Sequence, residues 1–300
     1  MTLPIRSDRP VSIGVVVLTM GQRPAELNRA LRTLLQQQNV TLDVVVVGNG
    51  WDPTCLPEGV RALHLPRNVG IPAGRNAGAS EVTGEFILFL DDDSWLLSST
   101  FLHDLARRLR ADPELGMIQP RIVDPDRRGQ EPGRWVPRIR KGDPATSSAA
   151  FSVAETAVML PRFAFDSTGG WPASFFYAHE GIELAWRVWD NGYRVEYHGD
   201  LEVAHPVVSP TRHADYLRLN ARNRVWLARR CLRWPFSWIY LANWTAIQVF
   251  RSRDLEELRL WFGGWRAGWR EDPWLANEDR HRLSWRTMLR MARHGRPPII

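Results

Sequence analysis

Three consecutive carboxylates, Asp91, Asp92 and Asp93, follow directly on the apolar run 86–90, FILFL. Like charges this close repel one another at neutral pH. The arrangement therefore asks for a cation between them, and a hard divalent metal with oxygen ligands is the simplest choice. If strand geometry persists through the triplet, Asp91 and Asp93 point to one side and Asp92 to the other. A solvated acidic loop that caps the next helix is the plainer alternative. His205, Glu180, Glu183 and Arg75 are the other residues whose type suits work on a charged substrate, and they lie far from the triplet or from each other in the chain.

The elements that must bring them together are legible from apolar periodicity. A five-residue apolar run ending in a turn signal predicts a fully buried strand over 86–90. A β-branched run predicts a first strand over 12–18, and similar runs predict strands over 42–47 and, more weakly, 60–65. Leu27, Ala30, Leu31, Leu34 and Leu35 recur at helical spacing behind Pro24, which suits a first helical turn, so 24–38 reads as an amphipathic helix. Residues 72–79 form a short helix rich in small side chains. This order of strands and helices predicts an α/β fold with a mainly parallel sheet, whose ligands bind beyond the carboxyl ends of the strands. Thr19, Gly48 and the aspartates occupy such ends and should meet in one crevice. Further along, a helix is expected over 99–110, a strand over 116–123, a surface loop over 124–148 and a strand over 151–160. A helix over 179–189 stops at Asn191-Gly192, and two closing strands follow over 193–197 and 201–205.

Three hundred residues suffice for one large or two small domains with a substantial core. Cys55 and Cys231 have no metal or redox spacing and read as free thiols of a reducing compartment. The start MTLPIRSDRP has no apolar signal core, which argues against a secretory peptide. The net charge of +6 is unevenly distributed: from Thr211 onward eighteen arginines stand against eight acidic residues, whereas the preceding part is net acidic. A basic last third suggests a surface for an anionic partner, whether phospholipid, nucleic acid or phosphate-bearing substrate. There, a basic helix is expected over 214–231. Residues 234–250 carry no charge but include Asn243, Thr245 and Gln248, so a membrane-surface or buried packing helix fits better than a span. Trp261, Trp265 and Trp269, interleaved with arginines, suit either a lipid–water interface or packing onto the preceding domain. The division expected is residues 1–210 as one domain and 211–300 as a basic, Trp-rich helical extension.

In order along the chain, VVVLT (15–19), VVVVGNG (44–50), RNVG (67–70), AGRNAG (73–78), FLDDDSW (89–95), HEGIELAWR (179–187) and His205 resemble glycosyltransferase family 2. That resemblance spans about residues 11–207 and implies the GT-A fold, the Rossmann-like fold of nucleotide-diphospho-sugar transferases. Arg222-Asn223-Arg224 and GGWRAGW (263–269) are similar to the carboxyl-terminal helices of bacterial members, especially actinobacterial rhamnosyl- or galactofuranosyl-transferase-like proteins.

The resemblance implies inverting transfer of a sugar from a nucleotide-diphosphate donor to an acceptor hydroxyl. The leaving diphosphate develops negative charge, which a divalent metal, Mn²⁺ or Mg²⁺, would offset. Asp93 is the first expected ligand, with Asp91 sharing the metal or facing the ribose, and His205 as a third. Thr19, Gly48, Asn49, Arg67, Asn68, Arg75, Asp91 and Asp92 are the expected donor-binding residues. Glu180 is the expected general base. Glu183 is either a second catalytic group or half of an i,i+4 ion pair with Arg187. Trp171, Phe176 and Tyr177 are expected to line the acceptor cleft. Two positions depart from the family pattern: Gly181 stands where the second acid of an E-D pair is usual, and Gly48 where an acidic residue usually reads the base. These departures leave open a nucleotide-sugar-binding protein that has lost turnover. A nucleotidyltransferase is a further alternative, poorly matched by the loop 19–24. A nucleic-acid partner is not expected, since no RNA or DNA motif accompanies the basic tail. The reading that fits best is a cytoplasmic enzyme resting on the inner membrane face, with a cell-envelope glycan or polyprenyl-linked acceptor.

Overall fold

The computed structural model describes residues 10–137, 142–207, 215–252, 254–276, 278, 280, 282–295 and 298. The chain runs β1 (Val11–Thr19), α1 (Pro24–Leu35), β2 (Val40–Asn49), β3 (Val60–Leu65), α2 (Ile71–Glu81), β4 (Phe86–Asp91), β5 (Trp95–Leu96) and α3 (Phe101–Ala111). It continues through β6 (Leu115–Val123), β7 (Ser148–Ala149), β8 (Ala157–Pro161), α4 (Arg162–Ser167), α5 (Glu180–Asp190) and β9 (Arg194–Ala204). Four helices close the described chain: α6 (Tyr216–Cys231), α7 (Phe236–Arg251), α8 (Leu255–Arg270) and α9 (Trp285–His294).

One sheet in the order β3-β2-β1-β4-β8-β6-β9-β5 organises the molecule, with β7 paired to β9. β3, β2, β1 and β4 are mutually parallel, β8 runs antiparallel to β4 and β6, and β6 and β9 are parallel to one another. Buried runs such as Val15-Val16-Val17 alternate between two apolar layers. Val15 and Val17 join Leu27, Leu31, Leu34, Leu102 and Leu105 of α1 and α3. Val16 joins Phe89, Trp171 and Leu184 on the opposite face. Both faces of the central strands are therefore covered, which explains their continuous rather than alternating apolar sequence. The small residues of α2 have a steric cause. A Cβ on Gly74 would lie 2.5 Å from Leu18 Cδ1, and one on Gly78 would lie 2.4 Å from Val16 Cγ1. The helix rests almost directly on β1.

The expected early strands and helices are present within a few residues of their predicted ends. Two later expectations need correction. The strand expected over 151–160 begins only at Ala157, and the segment before it is a loop that carries Glu155. The two closing strands are one, β9, whose pairing with β6 shifts register between Pro120 and Arg121 to absorb the irregular stretch. Within the expected surface loop, Trp135 is buried in a short 3-10 turn and meets the His205 ring edge-on.

The carboxyl-terminal helices share an apolar cluster with the sheet: Val225, Trp226, Leu227, Leu241 and Met288 pack with Val16, Phe89 and Trp189. The GGWRAGW segment is the contact of α8 with α6. A Cβ on Gly264 would meet Arg218 O at 2.0 Å, and one on Gly268 would meet Val225 Cβ at 2.6 Å, so two glycines one turn apart let the helix backbones touch. Trp261 is buried, and Trp265 and Trp269 pack against the same cluster, as the packing reading of these residues requires. The outward stripe of α7 is entirely uncharged, with Trp238, Ile239, Ala242, Ala246, Val249 and Phe250 all exposed. Among the described residues no helix is long and apolar enough to cross a membrane. Ala214, predicted to open the basic helix, lies outside the described residues.

Candidate active site

Strand register brings the expected residues to one edge. Thr19 pairs with Gly48, Leu18 with Asp91 and Asn49 with Leu65, so the carboxyl ends of β1, β2 and β4 are level. Asp91 ends β4, and its amide N–H donates to Thr156 O at 2.9 Å. Asp92 and Asp93 then turn inward and are buried.

Asp91 and Asp93 meet His205, the residue just past β9, whose amide is held by Val123 O at 2.9 Å. One ligand atom from each of the three lies within 4.8 Å of the others. That spacing is within reach of a single ion with bonds of about 2.0–2.6 Å. Two carboxylates and an imidazole are a donor set that suits Mn²⁺, so the residues fit a divalent metal. His205 Nε2 lies 3.1 Å from Asp93 Oδ1.

The second oxygen of Asp93 is taken by a residue that sequence reasoning missed. Arg23, at the entrance to α1, pairs with Asp93 and places Nη2 2.7 Å from Asp92 Oδ1. Thr19 Oγ1 donates to the other Asp92 oxygen at 2.6 Å. The strand ends at Asp91, so strand alternation does not extend through the triplet; Asp92 is held by Arg23, which also bonds Asp93, and by Thr19. An arginine in a short polar loop carries no sequence signal of this role.

The donor-side residues divide into two groups. Asn49 and Asn68 knit the ends of β2 and β3 together: Asn49 Nδ2 donates to Asn68 Oδ1 at 2.9 Å and to Gly70 O at 3.2 Å, while Asn49 Oδ1 accepts from Val69 N–H at 2.8 Å. Arg67 is exposed beside them. Gly48 has a steric explanation, because a Cβ there would fall 1.9 Å from Trp51 O. The chain after β2 folds back over this position, and no acidic side chain can occupy it.

Arg75 is not presented to a donor. Its guanidinium is buried and bonds Asp91 Oδ1 at 2.8 Å, Glu155 Oε2 at 3.2 Å and Glu155 O at 3.0 Å, with the Trp171 ring 4.7 Å beneath. Burial lowers its pKa, but the surrounding carboxylates more than compensate and raise it. Trp171, expected at the acceptor cleft, is only 1 % exposed and packs edge-on against Phe89. It is core, and its ring faces Arg75 rather than solvent. Phe176 is exposed, beside Gly70 at the crevice: a Cβ on Gly70 would lie 2.6 Å from Phe176 Cα. Tyr177 is half-buried against Tyr216.

The segment leading into α5 is strained. Phe176, Ala178 and His179 have φ of 65°, 73° and 71°, left-handed values that cost about 1–3 kcal/mol each in residues other than glycine. The staple that holds them comes from α6. Asn223 Nδ2 lies 3.1, 2.7 and 2.8 Å from the carbonyl oxygens of Phe175, Tyr177 and Ala178, and Arg222 Nη2 bonds Phe175 O at 2.8 Å.

Glu180 opens α5 and is 1 % exposed. Burial pushes its pKa well above the usual carboxylate range, and the adjoining Glu155 carboxylate, to which it is hydrogen-bonded, pushes it further. Glu183 is equally buried, but it is bonded by Arg230 through Nε at 2.9 Å and Nη2 at 2.8 Å, and by Arg187 one turn on. Its side chain is fully engaged in an ion-pair cluster between α5 and α6, so the structural reading of the Glu183–Arg187 pair fits this geometry and the catalytic one does not.

Residues 15–169 match the family described as glycosyl transferase family 2. Among curated proteins, the O-antigen biosynthesis protein RfbC of Myxococcus xanthus is 26 % identical over 258 residues, covering 75 % of this chain and 20 % of that protein. The pre-mycofactocin glycosyltransferase of Mycobacterium tuberculosis is 27 % identical over 159 residues, covering 49 % of this chain and 32 % of that protein. The chain therefore spans between a fifth and a third of the length of these relatives. Among solved structures, GalNAc-T7 with UDP, GalNAc and Mn²⁺ superposes with TM-score 0.61 at 15 % identity, over 88 % of this chain and 57 % of that one. The mannosyltransferase PcManGT from Pyrobaculum calidifontis with GDP-Man and Mn²⁺ gives 0.57 at 16 % identity, over 95 % and 80 %. These likenesses identify the fold as GT-A.

Proposed function

The chain belongs to glycosyl transferase family 2, and from that premise we propose that it transfers a sugar, with inversion, from a nucleoside-diphosphate donor to an acceptor hydroxyl in a metal-dependent reaction. The observation that carries this reading is the convergence of Asp91, Asp93 and His205, from the ends of two distant strands, within 4.8 Å of one another at the carboxyl edge of the sheet. A divalent cation held by these three residues would offset the negative charge that develops on the departing diphosphate. Arg23 and Thr19 orient the neighbouring Asp92 and Asp93. Asn49 and Asn68 fix the crevice wall against which the nucleotide lies, with Arg67 at its rim. Phe176 and Tyr177 offer ring faces for the acceptor, while Trp171 acts from beneath through Arg75.

The uncharged exposed stripe of α7, in the basic last third of the chain, supports a resting place at an anionic lipid surface and a lipid-linked or cell-envelope acceptor. A nucleotide-sugar-binding protein without turnover is the second reading, favoured by the Trp51 carbonyl filling the space at Gly48 and by the absent side chain at Gly181. A thermal-shift screen of UDP-, GDP- and dTDP-sugars with and without Mn²⁺ tests the donor class, because a ligand that binds only the folded state raises the melting temperature. Stabilisation by one nucleotide family, dependent on Mn²⁺, is expected. No stabilisation by any of them would contradict the proposal.

A further inference from the structure

We propose that Glu155, on the loop before β8, supplies the carboxylate that position 181 lacks, and that it takes the proton from the acceptor hydroxyl. This rests on the glycosyl-transfer reading and names the group in that site that does the proton chemistry.

The two positions compete for one volume. Gly181 N–H donates to Glu155 Oε1 at 2.6 Å. A Cβ built on Gly181 would lie 2.6 Å from that same oxygen and 2.7 Å from Glu155 Cγ. The Glu155 side chain therefore fills the space into which a side chain at 181 would project. Gly181 is helical and is not among the residues with positive φ, so backbone conformation does not demand glycine there. The Glu155 side chain, together with the Val153 carbonyl 2.9 Å away, leaves no room for a side chain there.

Access separates the three acids near α5. The Glu155 side chain is 20 % exposed, against 1 % for Glu180 and Glu183. Glu183 is consumed by its two arginines. Glu180, the base expected from sequence, sits behind Glu155 and is hydrogen-bonded to it. Position also favours Glu155. Arg75 bridges it to Asp91, so its carboxylate stands one guanidinium away from a proposed metal ligand. The electrostatics agree in direction: burial raises the pKa of Glu155 and Arg75 opposes the rise, while burial and the Glu155 carboxylate push that of Glu180 well above the usual range. A carboxylate made more basic than usual suits a general base.

In the step, an acceptor oxygen lone pair forms the new bond to the anomeric carbon. The bond from that carbon to the diphosphate oxygen breaks, and its electron pair leaves with the nucleoside diphosphate. The acceptor proton passes to Glu155 and then to water. With water as acceptor the same sequence hydrolyses the donor, which gives an assay that needs no knowledge of the natural acceptor.

The test uses the full chain, Mn²⁺ and whichever sugar from a UDP, GDP and dTDP panel the wild type hydrolyses fastest. Glu155→Gln should lower nucleoside-diphosphate release by about 100-fold or more while leaving calorimetric affinity for the nucleoside diphosphate within about threefold. Glu180→Gln should retain turnover within about fivefold, since an amide still donates a hydrogen bond to Glu155. Glu155→Ala combined with Gly181→Asp should recover about tenfold or more over Glu155→Ala alone, because the new side chain enters the vacated space; the Val153 carbonyl, 2.9 Å from a Cβ at 181, must yield slightly. Melting curves distinguish unfolding from lost chemistry, and the double substitution restores a carboxylate should Glu155→Gln fold poorly. Near-wild-type turnover in Glu155→Gln overturns the assignment. So does a loss in Glu180→Gln that equals the loss in Glu155→Gln, or a loss of nucleotide affinity in parallel with turnover. A wild type that neither binds nor hydrolyses any donor overturns the glycosyl-transfer reading itself.

Discussion

Glu183→Ala should act on stability before it acts on chemistry. The carboxylate is 1 % exposed, and Arg230 is likewise 1 % exposed. Arg230 Nε and Nη2 lie 2.9 and 2.8 Å from its oxygens, and Arg187 closes the cluster. With Glu183 truncated, Arg230 keeps Glu278 at 2.7 Å but loses its most buried partner. Removing one member of a buried ion pair costs about 3–5 kcal/mol. With an unfolding entropy of about 2.1 cal/mol/K per residue, a chain of this length should melt about 5–8 °C lower. Burial pushes the Glu183 pKa up, but Arg187 and Arg230 outweigh it and hold it below its ordinary value of 4.5. Its contribution is therefore complete above that value and is lost as pH falls through the lower folded one. Glu183→Gln should flatten the acid limb of the stability profile below about 4.5. Melting curves from neutral pH into the acid range, together with donor hydrolysis on the still-folded variant, make the assay. A variant that melts with the wild type yet has lost turnover would refute the structural role.

Three further outcomes follow from packing. Asn223→Ala leaves the carbonyls of Phe175, Tyr177 and Ala178 without their shared donor; it should cost about 1–3 kcal/mol and show first as faster proteolysis around 175–179. Gly264→Val should separate α8 from α6 and lower the melting temperature, whereas Gly263→Ala, with nothing within 4 Å, should be neutral or stabilise by about 0.5–1 kcal/mol; equal melting of the two would contradict the close crossing. Phe250→Glu, at an 89 % exposed position of the α7 stripe, should reduce pelleting with anionic phospholipid vesicles without altering melting; unchanged pelleting would remove the lipid-surface proposal.

The sheet was legible because its strands are continuous apolar runs buried on both faces, a local signal that survives without tertiary information. The convergence of Thr19, Gly48 and Asp91 followed from topology, since parallel strands of one sheet must present their carboxyl ends together. What escaped depends on contacts across many residues. Arg23 reaches Asp93 across 70 positions, and Glu155 reaches Gly181 across 26. Neither is marked by periodicity or by turn chemistry. Gly181 was visible as a departure, but the group that fills its space was not. Sequence alone places Arg75 at the donor and Trp171 at the acceptor cleft, because an arginine in a small-residue helix and an aromatic near a turn carry no sign of how deeply they are buried. In the structure they stack on each other beneath the site. The closing strand was divided in two because the residues that shift its register, 198–202, interrupt the apolar pattern.

The most direct measurement is nucleoside-diphosphate release from the panel of nucleotide sugars by wild type, Asp93→Asn and His205→Ala, each assayed with Mn²⁺ and after chelation, alongside calorimetric Mn²⁺ binding. The account predicts release by the wild type only with the metal present, and loss of both Mn²⁺ affinity and release in the two variants. Release that persists after chelation, or variants that bind Mn²⁺ and turn over donor as the wild type does, would contradict it.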